Sequence, residues 1–139
     1  MLIKGNTYTD HRGTVAFVNG FYFEGIKRFY CITHPGVDIV RAWQGHQSET
    51  KYFFAVRGVF QIAWVIIDQW EQPSRELVVQ SLLLRADQSQ ILLIAPGCAN
   101  GFRALEPDSI LMVFSDKTLK ESQADDHRWE SDYFKGIDW

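Results

Sequence analysis

The sequence has little of what marks several common functional classes. Its two cysteines, Cys31 and Cys98, lie in apolar segments and lack the CxxC spacing of a zinc or redox site, so both are expected to be buried packing residues. The 14 Lys and Arg residues are scattered, and the net charge is −3. Because a nucleic-acid binder usually carries a clustered basic surface, we expect no nucleic-acid partner.

Long apolar runs and common catalytic fingerprints are also missing. No run reaches the roughly 18 residues that cross a bilayer, and the opening MLIKGNTYTDHRG has no apolar core like that of a signal peptide. These two absences predict a cytoplasmic protein that does not contact a membrane. No phosphate loop, dinucleotide fingerprint or GxSxG nucleophile motif occurs, so the sequence does not support chemistry of those kinds.

What the chain does have is many short runs of β-branched and aromatic residues. Hydrophobic residues make up 46% of the 139 residues, enough for one substantial core, so we predict a single domain over residues 1–139. The runs are separated by Gly, Pro, Asp and Ser, and they read VAFVN, KRFYCIT, KYFFAV, VFQIAWVIID, RELVVQSLLL, QILLIA and ILMVFS. This pattern predicts an all-β fold of two packed sheets, a jelly roll of the cupin type.

Three details of the arrangement are predicted as well. Residues 59–68 are almost wholly apolar, which indicates a central strand covered on both faces. Arg57-Gly58 predicts a tight hairpin between KYFFAV and VFQIAWV. After Ser115 the chain becomes charged, which predicts a short helix or irregular tail that packs back on the body through Trp129, Tyr133, Phe134 and Trp139.

The candidate site lies in residues 41–58, RAWQGHQSETKYFFAVRG. Gln44 and His46 share one face of a strand, because strand side chains alternate. Arg41 and Lys51 could each meet an anion, the arginine by a two-pronged hydrogen bond to phosphate or carboxylate. Such a group suits a substrate that carries a phosphate and a carbonyl.

The chemistry that this group supports best is proton abstraction next to a keto group. That reaction needs one base that titrates near the working pH and a donor for the developing oxyanion, and His46 is the candidate base. A purely structural, hydrogen-bonded role for this histidine stays open. A metal site is not expected, because Gln44 and Asn100 carry amides where a cupin metal site would need imidazoles beside His46 and Glu49.

Several segments resemble nucleotide-sugar cupins, and the likeness runs from about Gly13 to the C-terminus. Residues 25–33, 41–46 and 111–129 are similar to motifs of the WxcM-like dTDP-sugar 3,4-ketoisomerases, whose strands read IKR-aromatic-Tyr and RGFHAH. Residues 49–58 resemble the QGKLVRVVRG motif of the dTDP-4-dehydrorhamnose 3,5-epimerases, and the ending GIDW is similar to the epimerase tail. Residues 95–102 resemble the IPxGxxHGF turn that the two families share.

The resemblance implies a jelly-roll homodimer that acts on a dTDP-linked 4-keto-6-deoxy sugar in surface polysaccharide or deoxysugar biosynthesis, with no metal or organic cofactor. It also exposes departures. Gln44 stands where both families have a histidine, Asn100 replaces the histidine of the turn, and no tyrosine near Met112–Phe114 matches the epimerase acid. These departures favour a ketoisomerase-like reaction over an epimerase-like one.

Roles follow from the resemblance residue by residue. His46 would shuttle the proton, while Tyr30 or Lys51 would stabilise or protonate the enediolate. The substrate would be held by Arg41, Gln44, Arg28 and Asn100. Because a neutral amide at position 44 cannot accept a proton at pH 7, a non-catalytic protein that binds a sugar nucleotide or carbohydrate is the alternative. A structural β domain without a small ligand is a third possibility.

Overall fold

The structure is a computed structural model that describes residues 1–139, and almost all of its regular structure is β-strand. The strands are β1 (Leu2–Lys4), β2 (Asn6–Asp10), β3 (Gly13–Phe17), β4 (Arg28–Ile32), β5 (Val40–His46), β6 (Lys51–Arg57), β7 (Val59–Ile66), β8 (Gln80–Arg85), β9 (Gln90–Ile94), β10 (Cys98–Ala104), β11 (Ile110–Ser115) and β12 (His127–Arg128). The one α-helix, α1 (Leu119–Ala124), is far too short and polar to span a bilayer, and no other helix could do so.

The strands form two five-stranded antiparallel sheets and one separate hairpin. The first sheet has the order β1-β9-β6-β11-β4, and the second has the order β12-β5-β10-β7-β8. The β2 and β3 strands pair only with each other. Most neighbours in the two sheets are distant in sequence, as in a jelly roll, and the predicted all-β architecture with a short C-terminal helix and tail is confirmed.

Alternation along the first sheet divides the interior into an apolar body and a polar end. Its register aligns Arg28, Ser115 and Lys51 across β4, β11 and β6. The rows that follow are apolar or aromatic, and they merge into the core cluster of Phe53, Phe60, Ile62, Leu84, Leu92, Leu111 and Val113. Because side chains of period two share a face, one polar residue at the end of each strand produces a polar row at one end of the barrel.

The β7 strand is covered on both faces, as predicted. Phe60 and Ile62 face the core between the sheets, while Ala63 and Val65 face a second cluster on the outside of the second sheet. The predicted packing of the tail is also confirmed, because Phe134 belongs to that outer cluster and Trp129, Tyr133 and Trp139 pack against it.

Two glycines allow the tail to approach the second sheet closely. A Cβ on Gly45 would lie 2.9 Å from Trp129 Cζ3 and 3.0 Å from Trp70 Cζ3. A Cβ on Gly101 would lie 2.4 Å from the Cβ of Ala42 on the neighbouring strand and 3.0 Å from Trp139 Cζ2 of the tail. Real side chains seldom or never make contacts this short, so a Cβ at either position would force the aromatic cover away from the sheet.

Two sequence-based expectations are wrong. Arg57-Gly58 does not form a hairpin, because β6 and β7 belong to different sheets. Gly58 has φ +76 and no space for a Cβ, which would lie 2.0 Å from Ser109 Oγ, so it turns the chain from one sheet to the other. Cys31 is exposed on the edge strand β4, whereas Cys98 is buried as expected.

Candidate functional site

A cavity of about 640 Å³ opens at the polar end of the barrel, between the two sheets. Its walls come from β4, β5, β6 and β10, and the C-terminal tail closes one side. Five of the seven residues singled out from the sequence line it, namely Tyr30, Arg41, Gln44, Lys51 and Asn100. His46 and Arg28 do not line it.

An irregularity in β5 brings Arg41 to the same side as Gln44. Gln44 is paired with Asn100 of β10, but Arg41 is paired with Phe102, so two residues of β5 stand opposite Gly101 alone. This is the geometry of a β-bulge, which reverses the alternation of side chains. Both Arg41 and Gln44 therefore face the cavity although three positions separate them in sequence.

Lys51 is a buried ammonium group without a carboxylate partner. It is 4% exposed, and its Nζ donates a hydrogen bond to Gln44 Oε1 at 3.0 Å. Burial lowers the pKa of Lys51 to about 8, although the charge of nearby Glu49 acts in the opposite direction. Lys51 can therefore act as a proton donor near neutral pH.

Gln44 connects Lys51 to the tail. While its carbonyl oxygen accepts from Lys51, its Nε2 donates to Asp126 Oδ1 at 3.0 Å. Asp126 in turn accepts from Arg128 Nε at 3.1 Å. Gln44 thus forms part of the cavity wall, and both of its polar atoms already have protein partners.

Unlike Gln44, Arg41 and Asn100 are not held by other side chains of the protein. Neither side chain makes a hydrogen bond or ion pair within the protein, and Asn100 is only 4% exposed. A guanidinium group that faces a cavity without a counter-ion is suited to an anionic ligand. These two side chains are the most available ligand contacts in the cavity.

Glu49 is the centre of a buried hydrogen-bond network behind the cavity. Its carboxylate accepts from Ser115 Oγ at 2.6 Å and Ser122 Oγ at 2.8 Å, and it also contacts Arg28 Nη2 at 3.3 Å. Burial alone would raise the pKa of Glu49, but the hydroxyl donors and the Lys51 charge outweigh it and lower that pKa. Glu49 is therefore an ionised acceptor.

The same network determines which nitrogen of His46 carries the hydrogen. Nδ1 is hydrogen-bonded to the backbone carbonyl of Asp125 and lies 3.3 Å from Glu49 Oε2. Because both partners are acceptors, Nδ1 must donate. Burial and the Lys51 charge lower the pKa of His46, so the ring is neutral at pH 7 and Nε2 has a free lone pair. Nε2 is buried and has no hydrogen-bond partner.

Arg28 and Tyr30 form the other branch of the network. The Arg28 guanidinium lies over the Tyr30 ring, 4.9 Å from its centroid, and its Nη2 contacts Glu49. Burial raises the pKa of Tyr30, against the opposing charge of Arg28, so the phenol stays protonated. Arg28, expected from the sequence to hold the substrate, does not line the cavity and lies over the Tyr30 ring.

Sequence analysis missed the cavity residues that the tail supplies, namely Arg128, Trp129, Glu130 and Tyr133. The tail reaches the cavity because β12 pairs with β5, with His127 opposite Gly45 and Arg128 opposite Gln44. The alternation of charged and aromatic residues from 125 to 133 was the available signal. No group of three or more His, Cys, Asp or Glu side chains is arranged to hold a metal ion.

We expect Lys51→Met to stabilise the protein at neutral pH. The pKa of Lys51, about 8 in the folded chain and 10.5 as its ordinary value, makes the unfolded state bind the proton more tightly. Removing the ammonium group should raise the free energy of unfolding at neutral pH by on the order of 3 kcal/mol, less about 1 kcal/mol for the hydrogen bond that Gln44 loses.

Denaturant unfolding measures this effect, with the exposed Lys4→Met as the matched control. Wild-type stability should rise as pH increases from 8 towards 10.5, so the gain from Lys51→Met should shrink over that range and Lys4→Met should show none. A destabilised Lys51→Met variant at pH 7 would contradict the assignment of Lys51 as an unpaired buried cation.

Comparison with known proteins adds information on the fold. The chain matches no protein-family model and no curated protein sequence. It is similar in structure to the 3,4-ketoisomerase QdtA from Thermoanaerobacterium thermosaccharolyticum in complex with TDP, with a TM-score of 0.72 and 22% identity over 96% of this chain and 90% of that chain.

Two epimerases are similar as well. The rmlC epimerase of Mycobacterium tuberculosis has a TM-score of 0.77 and 19% identity over 99% of this chain and 72% of that chain. The dTDP-4-dehydrorhamnose 3,5-epimerase of Sulfolobus tokodaii has a TM-score of 0.74 and 24% identity over 99% and 79%. The chain therefore has the fold of the dTDP-sugar 3,4-ketoisomerases and 3,5-epimerases.

Proposed function

We propose that the protein is a cytoplasmic isomerase or epimerase that acts on a dTDP-linked 4-keto-6-deoxy sugar in surface polysaccharide or deoxysugar biosynthesis. The observation that carries the proposal is the neutral His46, whose Nδ1 hydrogen is held by acceptors while Nε2 has no partner. An imidazole held in this way is a base oriented by its neighbours. Lys51 and the protonated Tyr30 line the adjoining cavity.

The similar proteins support this substrate class. QdtA was solved with TDP, and a mutant of it was solved with TDP-4-keto-6-deoxyglucose. The dTDP-4-dehydrorhamnose 3,5-epimerase of Bacillus anthracis was solved with TDP and PPi. In this chain, Arg41 and Arg128 are the two guanidinium groups that line the cavity, and they would meet the pyrophosphate. Asn100 would hydrogen-bond the sugar or an amide of the base.

In the proposed reaction, Nε2 of His46 takes the proton from carbon 3 of the sugar. The electron pair of that C–H bond forms a double bond to carbon 4, and the carbonyl oxygen at carbon 4 takes a proton from Tyr30 or Lys51. Return of the first proton from His46 to carbon 4, with transfer of the hydroxyl proton at carbon 3 to the deprotonated Tyr30 or Lys51, moves the keto group. Inversion at carbon 3 would instead need Tyr30 or Lys51 to protonate carbon 3 from the other face while the carbonyl at carbon 4 re-forms, and the first proton would stay on His46.

Substrate must displace part of the wall to reach His46, because Nε2 is buried behind the cavity. This feature, together with the commitment of Gln44 to Lys51 and Asp126, favours the second candidate function, a sugar-nucleotide binding protein without catalysis. The two functions differ in one observable, the exchange of a carbon-bound hydrogen with solvent.

The first experiment is deuterium incorporation from solvent into dTDP-4-keto-6-deoxyglucose, followed by NMR. Wild-type protein should label carbon 3, and His46→Ala should reduce the rate at least about 100-fold because it removes the general base. His11→Ala, an exposed histidine in the turn of the β2–β3 hairpin, is the control and should exchange at the wild-type rate. Equal rates in His46→Ala and wild type would disprove the base assignment.

Ligand binding is tested separately with dTDP alone. Arg41→Ala should raise the dissociation constant for dTDP by roughly 10- to 100-fold, since a hydrogen bond to a charged group contributes about 1.5–3 kcal/mol. The fold should survive, because Arg41 has no partner within the protein. Calorimetry or thermal shift measures the effect, with the exposed Arg57→Ala as control. Tight binding without exchange would select the binding protein, and undiminished binding by Arg41→Ala would exclude this anion site.

We also propose that the chain forms a homodimer. The β2–β3 hairpin pairs with no other strand of its own chain, and it exposes Tyr8 and Val15, 60% and 61% accessible. Exposed Phe23 follows the hairpin in the chain, and exposed Phe29 lies on the edge strand β4. Strand edges without a partner and exposed aromatic side chains favour contact with a second copy.

Sedimentation equilibrium should therefore give about 32 kDa, twice the 16.1 kDa of the chain. The double variant Tyr8→Lys and Val15→Lys should shift the mass towards the monomer by placing like charges in the contact. A wild-type mass near 16.1 kDa at micromolar concentration would exclude the dimer.

A further inference from the structure

Glu49 is a carboxylate with no accessible side-chain surface, in the connection between β5 and β6. Its four side-chain partners come from four different elements, with Arg28 on β4, His46 on β5, Ser115 on β11 and Ser122 on α1. Glu49 does not line the cavity and so does not contact a ligand there.

Stability gives little reason for a charge at this position. Taking a carboxylate out of water costs several kcal/mol, and even a well-paired buried ion is often no better than an apolar residue of similar volume. What the carboxylate does supply is orientation, because an acceptor near Nδ1 keeps the imidazole hydrogen on that nitrogen.

Two sets of contacts link Glu49 to His46 and to Tyr30, which are a candidate base and a candidate acid in the proposed reaction. The first is direct, since Oε2 lies 3.3 Å from Nδ1 of His46. The second passes through Arg28, whose guanidinium contacts Oε1 at 3.3 Å and covers the Tyr30 ring at 4.9 Å. One side chain therefore restrains both a candidate base and a candidate acid.

We propose that Glu49 is a positioning residue, which presents Nε2 of His46 as the base and, through Arg28, holds Tyr30 as the acid. This inference rests on the proposed isomerase or epimerase function. It assigns no contact between Glu49 and substrate.

The charge of Glu49 acts in one direction on three groups. It raises the pKa of His46 and of Lys51 against the larger effect of burial, and it raises the pKa of Tyr30 in the same direction as burial. The other charged groups that act on these three are Arg28 from β4, Arg41 from β5, and Asp125, Asp126 and Arg128 from the tail. All of them remain when only Glu49 is neutralised.

The decisive variant is Glu49→Gln, which keeps the shape and removes the charge. The rate of deuterium exchange is measured as a function of pH. In that profile the acidic limb reports the deprotonation of His46, and the alkaline limb reports the deprotonation of Tyr30 or Lys51. Because all three pKa values should fall without Glu49, both limbs should move to lower pH, with a loss in kcat larger than the change in KM. Asp87→Asn, an exposed carboxylate remote from the cavity, is the charge-matched control and should leave both limbs in place.

The variant Glu49→Asp tests the length of the side chain separately from its charge. It keeps the anion but shortens the side chain, so kcat should fall while the limbs stay near their wild-type positions. If Glu49→Gln does not fold, Glu49→Asp carries the test alone, and an unchanged kcat would overturn the inference. Unmoved limbs in a folded Glu49→Gln variant would overturn it as well.

A measurement that needs no turnover distinguishes failure of this inference from failure of the proposed function. In ¹⁵N-labelled protein, NMR should show the hydrogen of His46 on Nδ1 at neutral pH, and the titration midpoint of the ring should be lower in Glu49→Gln than in wild type. A hydrogen on Nε2, or equal midpoints, would refute the positioning role. Correct tautomer and midpoints without any exchange in wild type would refute the proposed reaction and keep the role of Glu49 in orienting His46.

Discussion

The arrangement of the polar end of the barrel depends on how the buried Glu49 carboxylate is satisfied. An ionised carboxylate in the interior must find several donors, and Glu49 finds them on β4, β11 and α1 while it also lies beside His46 at the end of β5. Those elements belong to both sheets and to the segment that begins the tail. A single desolvated charge thereby fixes β5 of the second sheet relative to β4 and β11 of the first, and it is the buried counter-charge of Arg28.

The cavity exists because the rest of the interior is filled by large side chains. Phe53, Phe60 and Phe102 occupy the body of the barrel, and alternation continues the same inward face to Arg28, Lys51 and Ser115 at one end. Polar side chains of different length, held by their own hydrogen bonds, do not close this space as hydrophobic side chains would. The tail then covers the outer face of the second sheet, so that a strand such as β7 can be apolar on both sides.

Local patterns in the sequence were enough to predict the all-β architecture, the central strand covered on both faces and the return of the aromatic tail, because each depends on periodicity and composition. They were also enough to place Gln44 on the cavity wall. Arg41 reached that wall for another reason, a bulge opposite Gly101 that no local pattern indicates. The hairpin predicted at Gly58 failed because a left-handed glycine serves equally well for a turn between sheets.

The residues whose positions differ from expectation are those with partners far away in the sequence. Read along their strands, His46 and Arg28 belong with the cavity residues, yet neither lines the cavity and both contact Glu49. Asp125, Ser122 and Arg128 could not be assigned before the pairing of β12 with β5 was known, since more than 70 positions separate Asp125 from His46 along the chain. Long-range pairing is the information that a single sequence carries least directly.

The amide of Gln44 cannot titrate, and it also affects the pKa of Lys51. Lys51 is held by the neutral oxygen of this amide, whereas a carboxylate at the same distance would stabilise the ammonium form and raise the pKa of the lysine. With the amide, the effect of burial prevails and the pKa of Lys51 falls to about 8. The ammonium group can then give up a proton close to neutral pH. An imidazole at position 44 would add a second group able to accept a proton from Lys51. Because the amide cannot accept a proton, the proposed reaction relies on His46 as its base and on Tyr30 or Lys51 as its acid.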